Sequence, residues 1–130
     1  MTGSCLIDTN VLIDFLSQSP DEAFNERVLA ALSDQSAVSI VTTIELLGWR
    51  RHTAQSRSSA ANLLACLQEL PLTRREAEVA IGLRSQSPIR LGDAIIAATA
   101  LTTGLPLMTR NTEDFRRIDG LRLIDPFGNT

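Results

Sequence analysis

Three acids in this chain stand where an acid is costly. Asp8 ends the apolar run Cys5-Leu6-Ile7, Glu45 lies within Thr42-Thr43-Ile44-Glu45-Leu46-Leu47, and Asp93 leads into Ala94-Ile95-Ile96-Ala97-Ala98. A carboxylate taken into such surroundings has to meet a cation or hydrogen-bond donors. If short parallel strands precede them, all three fall at one edge of the sheet, and the carboxyl edge is where α/β folds bind ligands. Three converging carboxylates repel one another by about 3 kcal/mol per pair at about 5 Å and an effective dielectric near 20. Protons, arginines or a divalent cation must neutralise such a cluster. Dispersed oxygen ligands suit Mg²⁺ or Mn²⁺, and the chemistry that follows is metal-assisted phosphodiester hydrolysis, with the ion activating water and stabilising the charge that develops on phosphate.

Each acid also has a purely structural explanation. Asp93 is a first-turn acid that a helix dipole favours. Glu45 lies three residues after Thr42 and matches a capping-box pair. Asp8-Thr9-Asn10 matches an Asx-type turn that caps the next helix. What sets these aside is that all three acids fall at the same expected edge. Other chemistries lack their parts. A single histidine, His52, and two unspaced cysteines do not build a zinc site. There is no G-x-S-x-G elbow for a serine nucleophile and no glycine-rich phosphate loop. A phospho-acceptor role for Asp8 lacks both a second acid two residues on and an anchoring lysine.

The elements that would hold these acids alternate between strand and helix. Residues 4–8 read as a strand and residues 10–17 as a helix. Ser19-Pro20-Asp21-Glu22 starts a second helix, whose apolar face of Phe24, Val28, Leu29 and Leu32 runs to residue 32. Residues 37–41 form a second strand, after which Thr42 or Thr43 caps the helix that carries Glu45. Ser58 or Ser59 opens a helix with Leu63, Leu64 and Leu67 that ends before Pro71, and Thr73 caps the next, which Ser87-Pro88 breaks. Residues 91–103 are helical and apolar, with Gly104 as C-cap and Pro106 beyond. Residues 107–109 and 121–124 are the last strand candidates, separated by a helical turn at 112–115. Strands separated by helices predict a small parallel sheet in an α/β fold.

The 130 residues, 44% of them hydrophobic, suit one domain with a full core. No apolar stretch approaches the roughly 18 residues of a membrane span, and the first residues lack a basic region followed by an apolar core, so neither membrane nor secretory signal is expected. Cys5 and Cys66 both lie in apolar segments and read as buried thiols of a cytoplasmic protein. The net charge of −3 does not mark a nucleic-acid binder, yet all 12 basic residues are arginine. Arginine suits bidentate phosphate contacts; a general compositional preference for arginine explains the same count.

Four segments in order resemble the PIN-domain ribonucleases, and especially the toxins of VapBC-type toxin–antitoxin pairs. They are Leu6-Ile7-Asp8-Thr9-Asn10-Val11-Leu12-Ile13, Thr42-Thr43-Ile44-Glu45-Leu46, Leu91-Gly92-Asp93-Ala94-Ile95-Ile96-Ala97-Ala98-Thr99-Ala100 and Leu107-Met108-Thr109-Arg110-Asn111-Thr112-Glu113-Asp114-Phe115. The resemblance implies a three-layer α/β/α PIN-like domain over residues 1–130 with a small central parallel sheet, and an endoribonuclease that uses Mg²⁺ or Mn²⁺. Asp8, Glu45 and Asp93 carry over as metal ligands, with Thr9 as a hydroxyl that orients Asp8 or a water. The fourth motif departs from the family: many members have an aspartate where this chain has Asn111, which brings no charge, and Asp114 is the substitute three residues on. One metal or two therefore stays open.

The resemblance further implies a homodimer and a cognate antitoxin whose carboxy-terminal segment covers the active-site groove. Arg110, or an arginine of the antitoxin, would offset the acids. Phe15, Leu16, Leu47 and Trp49 are candidates for a groove or dimer surface, with partial core burial the alternative for Trp49. Arg50, Arg51, Arg57 and Arg110 are candidates for RNA phosphate, with a solvated face the alternative for the first three. A PIN nuclease of RNA maturation without antitoxin, and a non-catalytic PIN-fold binding module prompted by Asn111, remain as other readings.

Overall fold

The computed structural model describes residues 4–128. Strand β1 (Leu6–Ile7) leads into α1 (Thr9–Leu16) and α2 (Glu22–Ser33). Then come β2 (Ala37–Ser39), α3 (Ile40–Leu47), α4 (Ala54–Leu64) and β3 (Gln68–Leu70), followed by α5 (Arg74–Gln86), α6 (Leu91–Thr103), β4 (Leu107–Met108), α7 (Thr112–Phe115) and β5 (Leu123–Ile124). The strands form one sheet in the order β3-β2-β1-β4-β5, and every pairing is parallel. All strand carboxyl ends therefore share one edge. The chain winds outward from β1 through β2 to β3, then returns to place β4 on the other side of β1. That reversal opens a crevice at the carboxyl ends of β1 and β4, the place where open α/β sheets take ligands.

Successive strand residues point to opposite faces, and the core divides accordingly. Ile7, Val38 and Met108 pack on one face against Val11, Leu12, Phe24, Val28, Leu46 and Ala60 of α1 to α4. Leu6, Ala37 and Leu107 pack on the other against Ile96, Ala97 and Ala100 of α6 and Phe115 of α7, while Ala80 of α5 packs onto α6. The result is the three-layer α/β/α arrangement with a small parallel sheet that the sequence predicts. Strands of two or three residues suffice at the centre because both faces are covered there, which leaves β1 and β4 apolar throughout rather than alternating.

Four local expectations are corrected. Ser39, not Thr42 or Thr43, is the N-cap of α3, its side chain accepting from the Val41 amide, so the strand stops at residue 39 and the helix takes the β-branched run that follows. Thr53 caps α4 through a capping box with Ser56, five residues ahead of Ser58. The edge strand β3, Gln68-Glu69-Leu70, has no apolar pattern to announce it and pairs with β2 by backbone alone. Cys66 is exposed whereas Cys5 is buried; both are free thiols. The bounds of α6 and α7 fall where the sequence puts them, and Gly104 closes α6 in the left-handed conformation at φ 73°.

Candidate active site

Asp8 is held on every side. It is only 4% exposed and caps α1 directly after the central strand. The β1–β4 register pairs Leu6 with Leu107 and Ile7 with Met108, which brings the next residues, Asp8 and Thr109, side by side across the crevice. The Thr109 hydroxyl donates to Asp8 Oδ2 at 2.8 Å and Asn10 Nδ2 donates to the same oxygen at 3.2 Å. The Thr9 amide donates to Oδ1 at 2.8 Å. Thr109 is fixed in turn by the Asn111 amide, which donates to its Oγ1 at 3.0 Å.

Glu45 reaches the same place from α3. Thr9 Oγ1 lies 2.7 Å from Glu45 Oε1 and 2.9 Å from Thr42 Oγ1. A hydroxyl has one proton to give, and the carboxylate is the stronger acceptor, so Thr9 ties Glu45 to the residue that follows Asp8. Thr42, fully buried, supports Thr9 and caps nothing. Gly92 makes room for this arrangement: a Cβ there would stand 3.4 Å from Glu45 Oε2 and 3.6 Å from Val41 Cγ1. Asp93, the next residue, lies in the first turn of α6.

The electrostatics mark these acids as a coupled group. Burial pushes the Asp8 carboxyl above its ordinary value; the bonds from Thr109 and the Thr9 amide pull it back in part, and the charges of Asp93 and Glu45 push it up further. Burial likewise raises Asp93, the charge of Asp114 adds to that, Arg90 opposes it, and Glu45 adds again. Among the described residues the ion pairs are Arg74–Glu78, Arg110–Asp14 and Arg116–Glu113, so no arginine pairs with Asp8, Glu45 or Asp93. Among those residues, too, no three acid, histidine or cysteine side chains are already gathered into a ready-made cage. An oxygen-lined, under-compensated and open cluster of this kind fits a hard cation that keeps part of its water shell, as Mg²⁺ does.

The remaining predicted residues are placed less uniformly. Asp114 stands close enough to raise Asp93, while Asn111 meets the site through its backbone amide. Arg110 does not face the acids: its guanidinium pairs with Asp14 of α1 at 2.7 Å and its amide donates to Asn10 Oδ1. Arg57 donates to the Leu47 carbonyl at the end of α3, whereas Arg50 and Arg51 are exposed in the turn after Trp49. Phe15 and Leu47 pack onto the core. Leu16, which packs there too, lines with Trp49 a cleft of about 620 Å³ that reaches Glu45, and Trp49 is 53% exposed. A second cleft, of about 940 Å³, runs past Asp93 and Asp114 to Arg90, Arg116 and Arg117. The acids thus border both.

Two contributors escape a motif-by-motif reading of the sequence. Thr109 and Thr42 are fully buried hydroxyls that hold Asp8 and Thr9. The available signal for Thr109 is its position: like Asp8, it is the first polar residue after a buried strand.

Comparison with known proteins finds relatives of the whole chain. The family described as PIN domain matches residues 5–121. Ribonuclease VapC10 of Mycobacterium tuberculosis is 36% identical over 122 residues, covering 90% of each chain. The fold is similar to that of a chain in a toxin–antitoxin complex from Klebsiella pneumoniae, at 33% identity and a TM-score of 0.77 over 95% of this chain and 98% of that one. It is also similar to a chain in DNA-bound VapBC from Salmonella typhimurium, at 26% identity and a TM-score of 0.83 over 96% and 99%.

Proposed function

This chain belongs to the PIN-domain family and is a relative of the VapC ribonucleases, and from that premise we propose that it is an Mg²⁺- or Mn²⁺-dependent endoribonuclease, the toxin of a type II toxin–antitoxin pair. The observation that carries the reading is the pinned carboxylate of Asp8 at the crevice between β1 and β4, coupled to Glu45 and Asp93, with none of the three in an ion pair among the described residues. Asp8, Glu45 and Asp93 would hold the cation, with Asp114 at the fourth corner and Asn111 beside it. When bound, the cation supplies Lewis-acid stabilisation of a phosphodiester and a water acidic enough to attack it.

The chain's own groups do the positioning. Thr109 and the Thr9 amide lock the Asp8 carboxylate into one orientation, and the Thr9 hydroxyl holds Glu45 to it, so little reorganisation is left to the moment of reaction. Arg90, Arg116 and Arg117 line the cleft beside Asp93 and would meet the phosphates of the RNA. Arg50 and Arg51 would do so near Glu45. An antitoxin is the expected partner in the cytoplasm, and the relatives solved as toxin–antitoxin complexes support that expectation; a homodimeric toxin is part of the same proposal.

Asp8→Asn tests the proposal. RNA cleavage in Mg²⁺ or Mn²⁺ should fall at least a hundredfold and growth arrest should be lost, while circular dichroism stays unchanged. Calorimetry should show Mn²⁺ bound by the wild type and lost in the variant. Full cleavage by Asp8→Asn, or a wild type that ignores millimolar Mn²⁺, would remove the nuclease reading in favour of a binding module.

A further inference from the structure

We infer that the cleft beside Glu45 is a nucleobase subsite in which Trp49 stacks an unpaired base of the RNA next to the scissile phosphate. The inference rests on the nuclease reading and deepens it by naming a single-stranded substrate and a specificity residue.

Trp49 is a large aromatic left half out of the fold, 53% exposed, yet its setting is built. Its ring meets that of His52 at a centroid distance of 5.2 Å and an interplanar angle of 87°. His52 is held from both nitrogens: Nε2 lies 2.7 Å from the Leu46 carbonyl oxygen, and Nδ1 lies 2.8 Å from Ser56 Oγ. A perpendicular contact covers at most one face of the indole, so at least one face stays clear of His52. A tryptophan steadied in this way offers a stacking surface that does not have to be ordered on binding.

The cleft around it has the composition a base requires. Ile13, Leu16 and Leu46 supply apolar wall, and Gln55, Ser56 and Ser59 supply neutral donors and acceptors for a base edge. Apart from Glu45, the lining holds no Asp, Glu or Arg, so away from that carboxylate the wall suits a neutral occupant. Positive charge is close in the chain: Arg50 and Arg51 directly follow Trp49 in the exposed turn and make none of the ion pairs found among the described residues. Apolar wall and aromatic face complement a base, and the two exposed arginines that follow Trp49 complement its backbone phosphate. Because Glu45 is shared between this cleft and the acidic cluster, a base seated here belongs to a nucleotide adjoining the cut.

Stacking on an aromatic side chain accounts for roughly one to two orders of magnitude in affinity per base. Trp49 is the only tryptophan in the chain, so its fluorescence reports the subsite directly. The experiment titrates the inactive Asp8→Asn protein with a mixed-sequence single-stranded oligoribonucleotide and follows tryptophan emission. In parallel, kcat and KM are measured for wild type, Trp49→Ala and Trp49→Phe on that RNA and on copies carrying one abasic nucleotide at each position around the cut.

Saturable quenching is expected. Trp49→Ala should raise KM tenfold to a hundredfold with kcat nearly unchanged, and Trp49→Phe should recover most of the loss. One abasic position next to the cut should cost the wild type as much as Trp49→Ala does and add nothing in that variant. Quenching by RNA without cleavage would support the subsite while refuting the nuclease. Cleavage with no quenching, or with equal KM for Trp49→Ala and wild type, would overturn the subsite and leave the nuclease standing. Trp49→Ala losing only a bound protein partner, with RNA kinetics unchanged, would overturn it in favour of a peptide occupant.

Discussion

At the scale of the residue, the site is an argument about one proton. Burial raises the carboxyls of Asp8 and Asp93 in the folded protein above their values in the unfolded chain. The folded state then keeps protons that the unfolded state has released, so the stability these groups lend is fully present below about pH 4 and is lost as pH rises through their raised native values. In metal-free protein, the melting temperature of the wild type should fall between pH 4 and 7 relative to Asp8→Asn; a difference between the two that does not change with pH would contradict the coupling. Thr109 matters for orientation. Thr109→Val removes the donor to Asp8 Oδ2 and the acceptor of the Asn111 amide. It should cost about 1–3 kcal/mol, read as a loss of several degrees in melting temperature, with at least a tenfold drop in cleavage, and Thr109→Ser should restore both. Asp8, Glu45 and Asp93 were legible in the sequence because each is an acid in an apolar or small-residue setting. The partnership of Asp8 with Thr109 was not, because 101 positions separate them and only the β1–β4 register brings them together.

At the scale of the element, what was legible is what local chemistry decides. Helix α6 has an apolar body, a glycine after its last turn and a proline beyond, and the structure ends it at Thr103. Gly104 sits at φ 73°, a conformation that costs a residue with a Cβ about 1 kcal/mol or more. Gly104→Ala should therefore lower stability by about that free energy, read as a lower urea midpoint at an unchanged slope of the transition, and an unchanged midpoint would refute the assignment. Helix α3 behaves otherwise. Ile40-Val41-Thr42-Thr43-Ile44 has strand propensity, yet packing overrides it: Leu46 enters the core and Thr42 supports Thr9 from the helix, while Ser39 caps its start. Strand β3 was hidden for the opposite reason, as an edge strand whose pairing uses backbone groups that any residue carries.

At the scale of the molecule, the proposed function requires a chain of net charge −3 to bind a polyanion through local arginines rather than through its overall field. Single-stranded RNA releases about 0.7 counterion per neutralised phosphate. The Arg50→Ala/Arg51→Ala double variant should lower the slope of log KM against log salt by about 1.4 if both arginines meet phosphate, with kcat retained; an unchanged slope would return them to a solvated surface. The pairing of Arg110 with Asp14 is also decided at this scale. It joins the loop after β4 to α1, half exposed, where such a pair contributes about 0–1 kcal/mol, and it keeps Arg110 away from the acids the sequence would have it offset.

The sequence by itself determined which residues could do chemistry, the alternation of strand and helix, and the parallel sheet, because residue type, hydrophobic period and capping are local properties. Only the tertiary structure decided which hydroxyls hold Asp8 and Glu45, that Cys66 is exposed, that Arg110 turns to Asp14, and that Trp49 faces a cleft shared with Glu45. Those outcomes depend on strand order, register and the packing of helices far apart in the chain.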